Sequence, residues 1–331
     1  MFKKTRIAVI IIFILSVTGY GAFNFYEKKN ADQTRPEIEM DSPSIVISVN
    51  DEESAIFQGM KAYDEKDGDV SENLIVESLS NFYEKGKRTA YIAVFDKDNH
   101  VNKITRDVIY EDYEEPVFEL TAPFDFPIKE AVGGITIQEL SQNMSVVDSI
   151  DGDVSGSLRL SSDYILNSSK EGEYPMEFQV TTSTGYISRL PVTVRIYDER
   201  EEAKSPSIEL TEYLINVEKG TDIDPGAYLK SLVVDGIVYN RSKGSDSFVS
   251  EDDSKNTDVL KIDLNTITID ASAYDKDTSG TYEIKYRITD SEGNDGVARL
   301  YAVVREDNVK VTNKESGKES EKETRIESEN E

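Results

Sequence analysis

The chain lacks the residues on which several kinds of site depend. It contains no cysteine, no tryptophan and one histidine. Without cysteine there is no disulfide, no thiol nucleophile and no zinc site with cysteine ligands, so each folded unit must be stable through packing, or with help from neighbours or ions. The lack of tryptophan disfavours a dedicated platform on which sugars stack.

Common catalytic motifs are also missing. The patterns G-x-S-x-G, S-x-x-K and H-E-x-x-H do not occur in the sequence, although they mark frequent nucleophile and metal sites. His100 ends the segment Asp-Lys-Asp-Asn-His at 96–100, which is typical of an exposed hairpin turn rather than of a catalytic base. We therefore predict no catalytic residue, no required cofactor and no enzymatic activity.

Acidic residues dominate the charge. The chain has 65 Asp and Glu against 37 Lys and Arg, a formal net charge of −28. This excess opposes binding of nucleic acid, and it also opposes adhesion to anionic polymers or anionic lipid through bulk electrostatics. The acidic excess is compatible with the binding of cations or of neutral glycans. Repulsion between the negatively charged units predicts that they form an extended array.

An acidic octapeptide occurs twice in the chain. Residues 64–71 and 148–155 share the pattern D-x-x-D-G-D-V-S, which indicates an internal repeat. A third copy is reduced to Asp235-Gly236. The repeat predicts an array of small domains rather than one large domain.

Alternating apolar residues predict two strands of fixed register at the end of each unit. The pattern aligns on Gly86, Gly172 and Gly280, after which apolar residues recur two apart. Arg106 breaks the pattern and predicts a face that is only partly buried in the first unit. Several short strands with turn residues between them favour antiparallel β-sandwiches and an all-β fold.

Unit boundaries follow from prolines and changes of composition. Pro43, Pro116 and Pro206 each suit the first residue of an edge strand, because proline cannot donate to a ladder. A short helical turn is expected after Pro225, over residues 226–232. The predicted segments are a membrane anchor or signal peptide at 1–29, a linker at 30–42, three sandwich domains at 43–112, 115–198 and 205–306, a loop inserted in the third at about 241–258, and a disordered acidic tail at 307–331.

These motifs give the chain a family resemblance. The turns at 67–71 and 151–155, the strands at 172–180 and 280–288 and the turn at 290–294 resemble those of bacterial immunoglobulin-like domains. Such domains occur in tandem on surface proteins and in some pesticidal crystal proteins. The resemblance implies three tandem Ig-like sandwiches, which are usually non-catalytic spacers, adhesion modules or carbohydrate-binding accessories.

The N-terminus predicts the compartment. Residues 7–26 carry no charge, and a helix of about 20 residues spans roughly 30 Å, enough for the hydrocarbon core of a membrane. The basic residues before this stretch favour a cytoplasmic N-terminus, so the protein is predicted to be single-pass with its C-terminal domains extracellular. The alternative is a cleaved signal peptide, with Gly19 and Gly21 before the cut, and a secreted protein.

The aspartates of the octapeptides have two interpretations. Calcium takes six to eight oxygen ligands, and a glycine between two aspartates permits a sharp turn, but the full twelve-residue calcium loop with its closing glutamate is missing. The alternative is that the carboxylates cap N–H groups of their own turn while the glycine adopts a positive φ. The candidate calcium ligands are Asp64, Asp67, Asp69, Asp148, Asp151 and Asp153.

The sequence predicts a non-catalytic, membrane-anchored extracellular interaction or adhesion module. Its partners would be the membrane, through the N-terminal helix, and an envelope protein, a host protein or a glycan, but not nucleic acid. The alternative is a structural spacer or accessory subunit of a cell-envelope assembly that has no ligand of its own.

Overall fold

The computed structural model describes the chain at residues 2–30, 34–129, 134–161, 166–242, 245–250 and 260–306. Strands make up 47% of the chain and helices 17%, which confirms the predicted all-β class. The predicted disordered tail at 307–331 lies outside the described residues and stays a prediction.

The N-terminal helix α1, Phe2–Asn30, makes no packing contact that buries its apolar stretch. Its segment Arg6–Tyr26 is long and apolar enough to cross a membrane, and none of it is buried against the rest of the chain. Exposed apolar side chains of this length need another apolar environment, which a lipid bilayer supplies. The helix is therefore compatible with a membrane anchor and equally with a signal sequence.

The first two units have the same succession of strands. In the first unit they are β1 Glu37–Met40, β2 Ser44–Ile47, β3 Met60–Asp64, β4 Gly68–Asp69, β5 Ile75–Leu79, β6 Lys87–Phe95 and β7 Val101–Tyr110, with 3-10 helices at Glu53–Phe57 and Ser71–Asn73. In the second they are β8 Val117–Leu120, β9 Asp125–Pro127, β10 Met144–Asp148, β11 Gly152–Asp153, β12 Arg159–Leu160, β13 Gly172–Thr181 and β14 Ile187–Tyr197, with helix α2 Ile137–Ser141 and a 3-10 helix at Ser155–Ser157.

The third unit adds strands to this plan. Helix α3, Glu199–Glu202, precedes it. Its strands are β15 Ser207–Leu210, β16 Leu214–Glu218, β17 Leu229–Val234, β18 Ile237–Arg241, β19 Ser247–Ser250, β20 Lys261–Asp263, β21 Thr268–Asp270, β22 Gly280–Thr289 and β23 Asp295–Arg305, with 3-10 helices at Pro225–Tyr228 and Leu264–Thr266.

Each unit places its strands in two sheets around one core. The strand orders are β1-β3-β4 with β2-β7-β6-β5, β8-β10-β11 with β9-β14-β13-β12, and β15-β17-β18-β19-β20 with β16-β23-β22-β21. The first strand of each unit pairs antiparallel with the third, and the second strand pairs parallel with the last. The chain therefore crosses from one sheet to the other after its first strand, and each pair of sheets encloses a hydrophobic cluster.

The predicted start of the first unit at Pro43, after a linker at 30–42, is wrong. Glu37–Met40 forms β1, which pairs antiparallel with β3. Pro36 precedes this edge strand as Pro116 precedes β8, which is the position that a residue without an N–H group tolerates. Pro43 lies instead where the chain crosses between the sheets.

Arg106 is more buried than the sequence pattern predicts. Its side chain is 2% exposed, so this face of the first unit is closed rather than partly open. The guanidinium Nη1 donates to the carbonyl oxygens of Ile56 and Gln58, each at 2.7 Å. The two carbonyl groups replace part of the hydration that the buried charge loses, while Nε of Arg106 has no hydrogen-bond partner among the described residues.

Two local predictions for the third unit need correction. The helical turn expected over 226–232 ends at Tyr228, and Leu229 begins β17. The ladder between β15 and β17 shifts register at Glu209/Leu210, so the buried Leu229 and Leu232 are three residues apart although they lie in a strand. A bulge that adds one residue to a strand imitates helical spacing in the sequence.

Part of the stretch predicted as an inserted loop is also a strand. Ser247–Ser250 forms β19, which pairs with β18 and β20 and extends the sheet of the third unit. Phe248 is fully buried in the third core, which explains why this segment is ordered. Residues 251–258 of the predicted loop lie outside the described part of the chain.

Tyr301 of the third unit completes the sheet of the second. In the first unit, the N–H of Asp107 in the last strand donates to the carbonyl of Pro43, in the crossing segment, at 3.0 Å. The equivalent residue of the second unit, Thr193, donates instead to the hydroxyl of Tyr301 at 2.9 Å, and that hydroxyl donates to the Thr193 carbonyl at 3.1 Å. Tyr301 is 3% exposed and belongs to the second core.

The third unit therefore lies alongside the second, and the expectation of an extended array fails for this pair. Thr193 and Tyr301 both lie near the middle of long strands, not at strand ends. Arg305, at the end of β23, donates to the carbonyl of Glu115, where the second unit begins. The third unit thus runs back along the second.

Ion pairs offset the like charge of the two units at this contact. Arg299 is 4% exposed and pairs with Glu173 of the second unit and with Glu283 of its own unit, the latter at 3.3 Å. Lys285 pairs with Glu173 at 3.0 Å. The expectation of an extended array was wrong for this pair because the net charge does not show where the basic side chains lie.

Replacing Tyr301 by Phe should lower the free energy of unfolding by about 1–2 kcal/mol, because the Thr193 N–H and carbonyl lose their shared partner. The matched control is Tyr282→Phe, whose hydroxyl donates to the Thr278 carbonyl in an exposed loop. Urea unfolding of the full chain in detergent, followed by circular dichroism, measures both. Equal losses in the two variants would contradict the role given to Tyr301.

Candidate functional site

The first aspartate of each octapeptide closes its turn. Asp64 and Asp148 are each 1% exposed. Oδ1 of Asp64 accepts from the N–H groups two and three residues later, both at 2.9 Å, and Oδ1 of Asp148 does the same at the same distances. Gly68 and Gly152 follow with φ values of 77° and 69°, as the turn interpretation predicts.

The third aspartate binds the serine that ends the motif. Oδ1 of Asp69 accepts from the hydroxyl of Ser71 at 2.6 Å and from its N–H at 2.9 Å, and Asp153 binds Ser155 in the same way. These bonds, the hydroxyl first, lower the pKa of both carboxyl groups. Ser71 in turn accepts from the N–H of Ala62 in β3 at 2.9 Å, so the motif is fastened to the neighbouring strand.

The second aspartate reaches the hairpin between the last two strands. Oδ2 of Asp67 accepts from the N–H of Lys97 at 2.9 Å, and Oδ2 of Asp151 accepts from the N–H of Ser183 at 2.6 Å. The Ser183 hydroxyl also donates to Asp151. The motif therefore ties together two loops at the same end of each sandwich.

The remaining oxygen of the first aspartate faces the segment that leads into the unit. Oδ2 of Asp148 accepts from the phenol of Tyr113 at 3.4 Å, and Oδ2 of Asp64 accepts from the hydroxyl of Thr34 at 3.3 Å. Both donors lie just before the first strand of their unit. The sequence gave no signal for either contact, because each donor lies 30 or more residues from its aspartate.

Tyr113 is the centre of the joint between the first two units. It is 4% exposed, and its ring packs edge-on against Phe82 at 4.9 Å and against Tyr186 of the second unit at 6.3 Å. The N–H of Phe82 donates to the carbonyl of Thr184 at 2.8 Å. Burial, followed by the nearby Asp148 carboxylate, raises the pKa of the Tyr113 phenol.

Gly86 makes room for this joint. Its φ is 70°, and a Cβ there would come within 3.2 Å of the Tyr110 carbonyl and 3.3 Å of Tyr113. Any other residue would therefore be strained in its backbone and would press on the buried tyrosine. Of the three glycines that align the repeats in the sequence, Gly86 thus serves a contact between units, whereas Gly172 and Gly280 lie against tyrosines of their own strands.

The motif aspartates do not form a shared cluster of ligands. Within the described ranges, no group of three or more His, Cys, Asp or Glu side chains is placed to hold a metal ion. The three carboxylates of each motif bind three different sets of donors, whereas calcium needs six to eight oxygens around one point. The donor set fits turn capping, and calcium binding stays an untested prediction from the sequence.

His100 has a structural position in its hairpin. Its Nδ1 lies 2.8 Å from Oδ2 of the buried Asp96, and the His100 side chain is 32% exposed, so the histidine is half-buried rather than fully exposed. The N–H of His100 donates to Oδ1 of Asp96 at 2.8 Å. Asn294 makes the same two contacts with Asp290 in the third unit.

A cleft of about 560 Å³ lies between β8 and the third unit. It is lined by Glu119 on one side and by Glu212, Tyr213 and Tyr228 on the other, among other residues. Carboxylates and phenols can hydrogen-bond to hydroxyl groups, which is the chemistry a neutral glycan offers.

Comparisons with known proteins give no family. No protein-family model matches the chain, and no match was found among curated proteins. Three solved structures with partial likeness illustrate the range, and all have TM-scores near 0.2. One is the M60 catalytic domain with two CBM51 domains of Clostridium perfringens ZmpB, with 12% identity over 84% of this chain and 31% of that chain and a TM-score of 0.21. Another is mouse cadherin-23 EC22-24, with 9% identity over 83% of this chain and 100% of that chain and a TM-score of 0.19. The third is a lipoprotein of Bacteroides thetaiotaomicron, with 11% identity over 57% of this chain and 80% of that chain and a TM-score of 0.21.

These likenesses carry no argument about function. Identities of 9–12% and TM-scores of 0.19–0.21 are too low to transfer a site or an activity. The chain also spans only 31% of the Clostridium perfringens structure, so what that protein does belongs to a much larger molecule.

Asp67→Ala and Asp151→Ala should each lower the free energy of unfolding by about 1–2 kcal/mol in EDTA, because each leaves hairpin N–H groups without an acceptor. The exposed Asp277→Ala controls for the lost charge. Thermal and urea unfolding in EDTA and in millimolar calcium measure the effect. Variants that match wild type in EDTA would contradict the hydrogen-bonding role, whereas a calcium-dependent rise in wild type that both substitutions reduce would show that the turns also bind calcium.

The free energy of unfolding should fall as the pH rises above about 10, the ordinary pKa of tyrosine. Burial raises the pKa of Tyr113 and Tyr186, so the folded chain keeps phenol protons that the unfolded chain has already released. Tyr113→Phe should make this fall shallower, as measured by urea unfolding at increasing pH. An unchanged slope in Tyr113→Phe would refute the assignment.

Proposed function

We propose that the chain is a non-catalytic module, anchored in a membrane by α1, that presents its β-sandwich units outside the cell to an envelope protein, a host protein or a glycan. The observation that carries the proposal is the combination of an unburied apolar helix with joints that fix the units. A surface held in a constant orientation relative to an anchor is suited to binding a partner at a distance from the membrane.

The two joints favour units that are held in a fixed relative orientation over units that tumble independently. Tyr113 between the first two units and Tyr301 between the last two are 4% and 3% exposed, and both hydroxyls are hydrogen-bonded to the neighbouring unit. Separating the units would expose both aromatic rings to water, which costs on the order of 1–3 kcal/mol for each side chain.

The absence of catalysis is supported by the roles of the titratable groups. The one histidine of the chain closes a hairpin on Asp96, a task that Asn294 performs in the third unit. Because asparagine cannot act as a general base, the position does not require proton transfer. The motif aspartates are occupied with backbone N–H groups of the fold.

A structural spacer is the second candidate, and the same buried joints favour it. A spacer needs stiffness and length, whereas an interaction module also needs a specific surface. Saturable binding of labelled full chain to envelope preparations, competed by unlabelled chain, would support the interaction module. Function that tolerates surface substitutions but fails when a unit is deleted would support the spacer.

The topology can be tested with introduced cysteines, because the chain has none of its own. Glu292→Cys, in the hairpin of the third unit, should react with a membrane-impermeant maleimide in cells whose plasma membrane is intact. Lys3→Cys should react only after permeabilisation, and the labelled chain should stay in the membrane after alkaline carbonate extraction. Release of the chain without its first residues would instead indicate a cleaved signal peptide and would overturn the anchor.

A further inference from the structure

The outer face of the first unit carries four large, exposed apolar side chains beside an ion pair between Lys103, which lies opposite Ala93, and Glu77. Ile75, Tyr91, Phe95 and Val101 are 47%, 45%, 39% and 43% exposed, and they surround Ala93, which is 5% exposed. Ile75 lies opposite Ala93 across β5 and β6, and Phe95 lies opposite Val101 across β6 and β7. These four exposed residues are called the apolar face of the first unit.

The fold does not require this face to be apolar. The same register positions are polar in the other two units, with one exception, Ile187 of the second. They are Arg159, Glu177, Thr181 and Ile187 in the second unit and Thr268, Lys285, Thr289 and Asp295 in the third. An apolar face on one copy of a repeat therefore indicates a contact that only this copy makes.

This face borders the end of the first unit that receives the chain from α1. The side chain of Asn102, next to Val101, donates to the carbonyl of Pro36 at 2.9 Å. Tyr63, 61% exposed, lies at the same end beside the acidic turn. The apolar face and this tyrosine therefore stand on the side of the unit from which the helix arrives.

The chain between helix and unit is too short to move this end far from a membrane. The apolar span ends at Tyr26 and the helix at Asn30. Four helical residues rise about 6 Å, and the four residues from Asn30 to Thr34 reach at most about 14 Å. The end of the first unit thus lies within about 20 Å of the hydrocarbon boundary, and headgroups occupy the first several ångströms of that distance.

The corresponding end of the second unit is already a contact surface. There Thr184, Tyr186 and Asp148 receive Phe82 and Tyr113 of the first unit. The second unit thus uses this end to seat the unit that precedes it in the chain. What precedes the first unit is a helix that would stand in a bilayer.

We propose that the apolar face of the first unit, together with Tyr63, rests in the headgroup layer of the membrane that holds α1. Aromatic side chains with a polar tip favour this layer, and the aliphatic side chains reach the upper acyl region. Lys66, Lys97 and Lys103 at this end are each ion-paired, with Asp98, Asp67 and Glu77, so the contact depends on the apolar and aromatic side chains and not on attraction to lipid phosphates. This contact would set the tilt of the array, and it rests on the proposed membrane anchor.

Because the chain has no tryptophan, one introduced tryptophan reports on one place. Three variants of the full chain are reconstituted in phosphatidylcholine vesicles with plain or brominated acyl chains. Phe95→Trp probes the apolar face, Thr181→Trp probes the same position in the second unit, and Tyr20→Trp probes the helix. Val101→Trp replaces Phe95→Trp if circular dichroism shows that the latter does not fold.

The proposal expects brominated lipid to quench Phe95→Trp several-fold more than Thr181→Trp, with emission shifted to shorter wavelength. Quenching of Tyr20→Trp alone would overturn the contact and leave the anchor standing. No quenching of Tyr20→Trp would overturn the proposed anchor itself. A blue-shifted but unquenched Phe95→Trp would show that protein, such as a second copy, covers the face, and would also overturn the proposal.

Discussion

The buried aspartate that opens each acidic motif is the group on which the arrangement of the first two units depends. In the second unit, one oxygen of Asp148 closes the turn and the other accepts from Tyr113 of the preceding segment. A buried carboxylate without partners costs several kcal/mol, so its surroundings must supply donors on every side. The same requirement that shapes a turn therefore also fixes the unit before it. The acidic motif of the second unit therefore closes its own turn and also joins the first two units.

Acidic composition and close packing are compatible here because the charges are placed in detail. Motif carboxylates accept from backbone N–H groups, and Arg299 lies between Glu173 and Glu283 at the contact of the second and third units. A net charge of −28 describes long-range repulsion. Contacts at 3 Å are governed instead by the partners present, since screening weakens interactions beyond about 10 Å.

The sequence predicted those features of the fold whose cause lies within a single strand or turn. Alternation in β22 placed Ile284, Tyr286 and Ile288 in the core, and the turns have their predicted positive φ at glycine. The first strand was missed although the sequence contains a signal for it: residues 36–40 and 116–120 share the pattern proline, any residue, apolar residue, glutamate, apolar residue. Partners far apart in the chain had no such signal. No local pattern in the sequence predicts the acceptor of the Tyr113 hydroxyl or the insertion of Tyr301 into the sheet of another unit. The bulge in β17 gives its apolar residues a spacing that is typical of a helix.

The two joints give the array a direction and a limited reach. The first unit docks end to end on the acidic-turn end of the second, whereas the third unit lies alongside the second, with Arg305 returning to Glu115 at the first joint. With strands of about 10 residues at roughly 3.3 Å each, two stacked units extend about 70 Å, and the third adds width rather than length. The end of the array remote from the first unit is therefore shared by the second and third units. A partner reached by this chain would meet that broad paired surface, not the tip of a single domain.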